Sequence, residues 1–287
     1  MLTVKAPAKI NWSLFVLDKR EDGYHNIVSL LQCIGLYDVI EFELSDGLTL
    51  ESNLDLPFEQ NLVYRAAVLL RDYAGIKKGA RITLKKEIPS GAGLGGGSSD
   101  GAYTLMALNK LWELGLDNGE LKLLGNKLGS DVPFFFNGPL ALAEGRGERL
   151  TSLAVAMSHV LLLVKADCSV STSWAYGELG RAVRGDIALT KTDNKINNIQ
   201  FIYGAVAAGD LSSIARNARN DFEDAVIRQY PVIGTVKEQL IKSGAVMALM
   251  SGSGSAVFGL FEDENVALNA AGDFPSYFCK VVKTLIS

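Results

Sequence analysis

The chain has 287 residues, 48% of them apolar, enough for one large or two ordinary domains around a sizeable core. Its formal net charge is −4 and its 28 basic residues are scattered, which argues against nucleic acid, a partner held by clustered cations. Three distant cysteines without metal-ligand spacing (Cys33, Cys168, Cys279) suit reduced core residues of a cytoplasmic protein, and neither a signal peptide nor the ~18 apolar residues of a membrane span is expected.

Ile10, Trp12, Leu14 and Val16 alternate with other residues and predict a long strand that runs into residues 19–25, where Asp22-Gly23 is a turn dipeptide. Further strands are expected near 27–44. Asn61 caps a helix that reaches Tyr73 and is ended by Gly75. Residues 80–88 alternate apolar and charged side chains, the pattern of a strand with one wet face in an antiparallel sheet. Helices at 98–114 and 118–128, the second closed by Gly129, lead into Ser130-Asp131-Val-Pro-Phe-Phe-Phe136. Strands near 139–150 and 158–166 bracket Glu144-Gly-Arg-Gly-Glu148. The character then changes to helices, at 171–179, 196–208, 210–224 and 231–243, with 191–198 as a polar loop or boundary segment. Strands at 245–250 and 256–261, a short helix and a last strand over 277–285 complete the chain. Runs of strands before runs of helices predict an α+β fold with largely antiparallel sheets, in an N-terminal lobe 1–155 and a C-terminal lobe 156–287.

One stretch is unlike the rest: Pro89-Ser90-Gly91-Ala92-Gly93-Leu94-Gly95-Gly96-Gly97-Ser98-Ser99. Glycine at this density costs conformational entropy and leaves backbone with few side chains to cover it. The run feeds a helix for which Ser98 and Ser99 are N-cap candidates. Unpaired N–H groups and the positive end of a helix dipole make an anion site, and in an intracellular enzyme the usual anion is a phosphate. A flexible surface turn is a weaker reading, because glycine–serine linkers do not usually open onto an apolar helix. Gly91, Gly93 and Gly96 match G-x-G-x-x-G, but a dinucleotide loop needs a buried parallel strand before it. No G-x-x-x-x-G-K-[ST] is present, which excludes the Walker fold. A triphosphate cradle of a non-Walker type fits best.

The loop has company. Ala6-Pro-Ala-Lys9-Ile-Asn11, the glycine run and Ser251-Gly-Ser-Gly-Ser255 resemble, in this order, the three motifs of the galactokinase–homoserine kinase–mevalonate kinase superfamily. Asp22-Gly-Tyr-His25 and Gly129-Ser-Asp-Val-Pro-Phe-Phe135 narrow the resemblance to the branch that acts on cytidyl diphospho-methylerythritol in non-mevalonate isoprenoid biosynthesis. The similarity runs from residue 4 to about 261. It implies a two-lobed small-molecule kinase with ATP as phosphoryl donor, Mg²⁺ bridging the phosphates, and no nucleic-acid or membrane partner, as a monomer or homodimer. Residues 89–99 would bind ATP, with Ser99 a candidate for the metal. Asp131 would be the base for the acceptor hydroxyl and Lys9 the cation that holds it. Tyr24 and His25 would recognise cytosine, Tyr176 would be the second aromatic of the base sandwich, and Asn11 would bond the methylerythritol or its diphosphate. On their own residues, Asp131 reads equally as a turn aspartate, His25 as a turn histidine, and Tyr176 as the inner face of a helix. The chain departs from the family pattern at Trp12, Asp18 and Gly101, where leucine, glycine and alanine are usual.

Overall fold

The computed structural model describes residues 1–179 and 188–287. In chain order come strands β1 (Leu2–Lys19), β2 (His25–Ser45) and β3 (Leu48–Ser52), helix α1 (Leu62–Ala74), strand β4 (Gly79–Lys85), and helices α2 (Gly96–Leu111) and α3 (Asn118–Leu128). Strands β5 (Leu140–Gly145), β6 (Arg149–Ser152) and β7 (Val160–Lys165) follow. Helices α4 (Thr172–Glu178), α5 (Ala188–Ala208), α6 (Leu211–Asn217), α7 (Glu223–Gln229) and α8 (Pro231–Lys242) precede β8 (Met247–Met250), β9 (Ala256–Phe261), α9 (Glu264–Ala271) and β10 (Phe278–Lys283). This is the expected α+β fold.

The chain divides into two compact units that interleave: residues 1–8, 36–90 and 95–138 in the first, 9–35, 91–94 and 139–287 in the second. The expected boundary at 155 falls inside the second unit. β1 and β2 are long enough, at 18 and 21 residues, to contribute to both, which a single cut along the chain cannot express.

In the first unit, β4 pairs antiparallel with the second half of β2 and parallel with β3, so this sheet is not wholly antiparallel. Ala80, Ile82 and Leu84 of β4 point inward while Arg81 and Lys85 are exposed, as the alternation requires. The strand stops at Lys85, not at residue 88, because the backbone N–H groups of Glu87 and Ile88 both donate to Asp38 Oδ1, at 2.6 and 2.9 Å. Helix α1 starts as expected: Asn61 accepts from Val63 N at 3.0 Å, and Gly75 closes it at φ 62°. Asp117 and Glu120 form a capping box at the start of α3.

In the second unit, the first half of β2 pairs antiparallel with β5, and β5 with β6. Glu144–Glu148 is the turn between those last two strands. A separate antiparallel sheet has the order β10-β7-β9-β8. Leu162, Val164, Val257 and Phe261 of its central strands pack in one cluster with Val226, Ile233, Val236 and Leu240 from α7 and α8. Two helical expectations change. Residues 191–198 belong to α5 and are not a loop: they precede in the same helix the turns on which Ile199, Ile202 and Val206 are buried, and a polar sequence can be helical when the element has one buried stripe. The single helix expected over 210–224 is two, α6 and α7, because residues 219–221 spend their backbone groups on β1: Leu14 N donates to Arg219 O (2.8 Å) and Asp221 N donates to Leu14 O (2.9 Å).

Trp12 is fully buried; its Nε1 donates to Gln32 Oε1 at 2.5 Å and its ring meets Phe258 edge-on. Cys33 is buried, and none of the three cysteines is disulfide-bonded. Among the described residues no helix is long and apolar enough to cross a membrane.

Candidate active site

Gly91, Gly93 and Gly95 stand at φ 64°, 77° and 68°, the left-handed region that glycine enters without strain. Their alternation with Ala92 and Leu94, both buried, anchors the loop by two apolar pegs while Gly91 and Gly97 stay exposed. In the first unit α2 begins at Gly96 with Gly95 as its N-cap and no side-chain cap. Ser98 and Ser99 are therefore first-turn residues and not caps, a correction that leaves the turn's N–H groups without a hydroxyl competing for them. Ser99 Oγ is buried and has no hydrogen-bond partner.

Beneath that turn lies a charge cluster that sequence reasoning missed. Lys86 Nζ donates to Asp38 Oδ2 and, at 2.7 Å, to Asp100 Oδ2, and the two carboxylates are 0% and 2% exposed. Burial raises the Asp100 carboxyl to about 7, outweighing the Lys86 ammonium beside it, with the Asp38 charge pushing the same way as burial. Asp131, also in the first unit, is exposed at the start of a 3-10 turn (Val132–Phe136) whose three phenylalanines are buried.

In the second unit Lys9 is only 4% exposed, and its Nζ donates to Asn11 Oδ1 at 2.8 Å. Asn11 Nδ2 donates to Ser29 Oγ, which donates to Ser13 O. A buried ammonium held in such a chain is an expensive arrangement for a purely structural residue. Lys9 N donates to Leu94 O (2.9 Å), so the strand that carries the lysine also grips the glycine run. The Ser251–Ser255 turn grips it from another side: Ser251 Oγ donates to Gly93 O (3.0 Å) and Ala256 N to Ala92 O (3.0 Å). A side chain at Gly93 would run into Ser251 O. A Cβ at Gly252 would lie 3.5 Å from Lys9 Nζ. Lys9, Asn11, residues 91–94 and the 251–254 turn thus form one neighbourhood.

The aromatic turn is in the same unit. Tyr24 is 55% exposed, and the Arg146 guanidinium lies 4.9 Å from its ring centroid. The turn is fixed by Tyr24 N donating to Asp22 Oδ1 and by Asn26, which donates to Asp18 and accepts from Arg20. That gives Asp18, one of the departures from the family pattern, a local job. His25 stacks on Tyr176, centroids 5.1 Å apart and planes at 16°, and the edge of Phe222 meets Tyr176 at 4.8 Å. One face of Tyr176, expected as the second aromatic of the base sandwich, is thus taken up by the His25 ring. Arg146 and Asn220 are the residues here that sequence reasoning passed over. The polar Asn220-Asp221 pair inside an otherwise amphipathic helical pattern was the available signal for the second.

Comparison with known proteins agrees with this geometry. Residues 61–139 match the GHMP kinases N terminal domain and residues 202–278 the GHMP kinases C terminal family. The chain belongs to the GHMP kinase family of small-molecule kinases, for which ATP is the phosphoryl donor. Its similarity is to the 4-diphosphocytidyl-2-C-methyl-D-erythritol kinases of that family. The enzyme of that name from Thermodesulfovibrio yellowstonii is 49% identical over 287 residues, 100% of this chain and 99% of its own length. That from Chlorobium phaeobacteroides is 44% identical, covering 96% of this chain and 95% of its own. A crystal structure of 4-(cytidine 5'-diphospho)-2C-methyl-D-erythritol kinase superposes with a TM-score of 0.82 at 34% identity, over 99% of both chains.

Proposed function

We propose that this enzyme transfers the γ-phosphoryl group of ATP to the 2-hydroxyl of 4-diphosphocytidyl-2-C-methyl-D-erythritol, giving the 2-phosphate and ADP, as a cytoplasmic step of non-mevalonate isoprenoid precursor biosynthesis. The observation that carries this reading is the match of the whole chain, at 49% identity, to a relative of that name. The exposed Tyr24 beside the braced His25 gives it a physical reason, because homoserine and mevalonate have no base to recognise.

Phosphoryl transfer asks a protein mainly for positioning and charge neutralisation. The N–H groups of the 91–97 run and the first turn of α2 would receive the triphosphate. Mg²⁺ typically rests on substrate phosphates, water and one or two protein oxygens. Ser99 Oγ, a buried oxygen without a hydrogen-bond partner, fits that requirement and would be its protein contact. The ion supplies neutralisation of the phosphate charge. Asp131 accepts the 2-hydroxyl proton as the new O–P bond forms and the bond from the γ-phosphorus to the β–γ bridging oxygen breaks. Lys9 supplies positive charge to that step, and Asn11, fixed by Lys9 and Ser29, contacts the methylerythritol or its diphosphate. Tyr24 stacks on cytosine with the ring face opposite Arg146. His25, its face spent on Tyr176, reads the base with its edge.

Asp131→Asn keeps size and removes the proton acceptor. Steady-state kinetics should show turnover reduced by about 10²–10⁴-fold with both Michaelis constants nearly unchanged. A variant that keeps more than about a tenth of wild-type turnover would leave the base role without support.

A further inference from the structure

Residues 218–222 break the helical run between α6 and α7, and Asn220 is the centre of the break. It is 6% exposed. Its Nδ2 donates to two carbonyls of the glycine–serine turn, Met250 O and Gly252 O, each at 2.7 Å. Its Oδ1 accepts from Phe222 N at 3.0 Å. Both amide hydrogens and the amide oxygen are therefore engaged, and only a side chain with this donor–acceptor pattern can satisfy all three groups. The flanking backbone is bridged to Leu14 of β1. Asn220 thus stands between three pieces of the second unit. The turn at 250–252 meets Lys9 and Gly93. β1 carries Lys9 and Asn11. Phe222 packs its edge on Tyr176, the ring on which His25 stacks.

Gly252 and Gly254 sit at φ 57° and 89°, and glycine contributes no side chain to fix them. The turn's other side-chain fastenings are Ser251 Oγ on Gly93 O, the hydroxyl pair Thr172–Ser253 at 2.9 Å, Glu223 Oε1, which accepts from Met250 N at 2.8 Å, and Ser255 Oγ, which donates to Cys168 O at 2.8 Å. Removing the Asn220 amide would leave the Met250 and Gly252 carbonyls without this donor, and would free the peptide that faces Lys9.

We propose that Asn220 is a positioning residue for phosphoryl transfer: it touches neither substrate nor ATP, and it holds the 250–254 turn so that Lys9 and Gly93 keep their places. The proposal rests on the kinase reading above for its consequence in turnover, but not for the hold itself. Asn220→Asp keeps shape and turns an oxygen toward two carbonyl oxygens; Asn220→Ala removes the contacts without repulsion. At a temperature well below melting, turnover should fall about 10²-fold in Asn220→Asp, the scale of a displacement of about 1 Å at the reacting groups. The Michaelis constant for the cytidyl substrate should stay within about threefold, because Tyr24, proposed to stack on cytosine, lies outside the 250–254 turn, while that for ATP rises with the loosened Gly93. Ser251→Ala loosens the same turn from its other side, so the double variant Asn220→Asp/Ser251→Ala should lose little more than the worse single one.

A wild-type measurement guards against variants that do not fold. Hydrogen exchange over residues 250–256 should be as slow as in the β7–β9 core. Turnover within about threefold of wild type in both Asn220 variants, single losses that multiply in the double variant, or fast exchange of the wild-type turn would each overturn the proposal. A wild-type enzyme that transfers no phosphoryl group yet shows the slow turn would defeat the kinase reading and leave the hold of Asn220 standing.

Discussion

At the scale of single residues, the aromatic turn explains how a small polar site could select a cytidyl substrate. Tyr24 has one ring face under the Arg146 guanidinium and is otherwise exposed, while His25 is braced by Tyr176 and through it by Phe222. A base that stacks on Tyr24 gains about 1–3 kcal/mol. Tyr24→Ala should therefore raise the Michaelis constant for the cytidyl substrate roughly 5- to 150-fold while that for ATP barely moves. Equal weakening of both would make Tyr24 a structural residue.

His159 offers a prediction of another kind. It is 3% exposed, its Nε2 donates to Val206 O, and its ring meets Trp12 edge-on. Burial pulls its imidazole below the usual value, against the Val206 bond, which pulls the other way. The unfolded chain then binds a proton more readily than the folded one, so His159's contribution to stability is complete above the ordinary histidine range near 6.5 and is lost as pH falls below it. Chemical denaturation from pH 7.5 to 5 should show wild type losing more stability than His159→Gln, with a limiting slope of about 1.4 kcal/mol per pH unit for one proton. Parallel curves for the two proteins would contradict this.

Among the secondary-structure elements, α2 decides the most. Its helical glycines are not equivalent. A Cβ at Gly96 would press on Ile88 and Lys86, at 2.8 and 3.1 Å, whereas at Gly101 it would meet Leu62 and Leu128 at ordinary distances of 3.6 and 3.7 Å. Gly101→Ala should therefore stabilise the enzyme by about 0.5–1 kcal/mol, a gain of helix propensity without a clash. Thermal unfolding with a lower midpoint for the variant would show that the neighbours cannot yield. The departure from the family pattern at this position thus costs stability and removes no chemical group.

How much of this was legible in the sequence also depends on the element. α1 and α3 could be read from Asn61, Gly75 and Gly129 because their caps are local chemistry. β4 could be read from its alternation, since one face is wet. The strand's early end was not legible, because Asp38, 48 residues from Lys86, takes the amides that follow. Nor was the break between α6 and α7, where β1 outcompetes helix propensity through pairing with Leu14. The polar run 191–198 suggests a loop by hydrophilicity alone, although a helix needs only one buried stripe. The site divides the same way: the glycine run, Lys9 and the Tyr24-His25 turn are contiguous signals and Asn220 leaves a fainter one in its polar pair with Asp221, while Arg146 and the Asp38–Lys86–Asp100 cluster exist only through folding.

The whole molecule is a GHMP kinase, and the proposed function gives it one reaction on one substrate class. The measurement that tests it most directly is a competition. Equimolar 4-diphosphocytidyl-2-C-methyl-D-erythritol, homoserine and mevalonate are incubated with ATP and Mg²⁺, products are identified by mass spectrometry, and the new phosphate is located by ³¹P NMR. The account predicts the cytidyl 2-phosphate as the product, with a kcat/KM about 10⁴-fold or more above the other two alcohols, the discrimination available to a site built to hydrogen-bond a group that the competitors lack. Phosphohomoserine or phosphomevalonate as the main product, or a cytidyl compound phosphorylated at another hydroxyl, would contradict it.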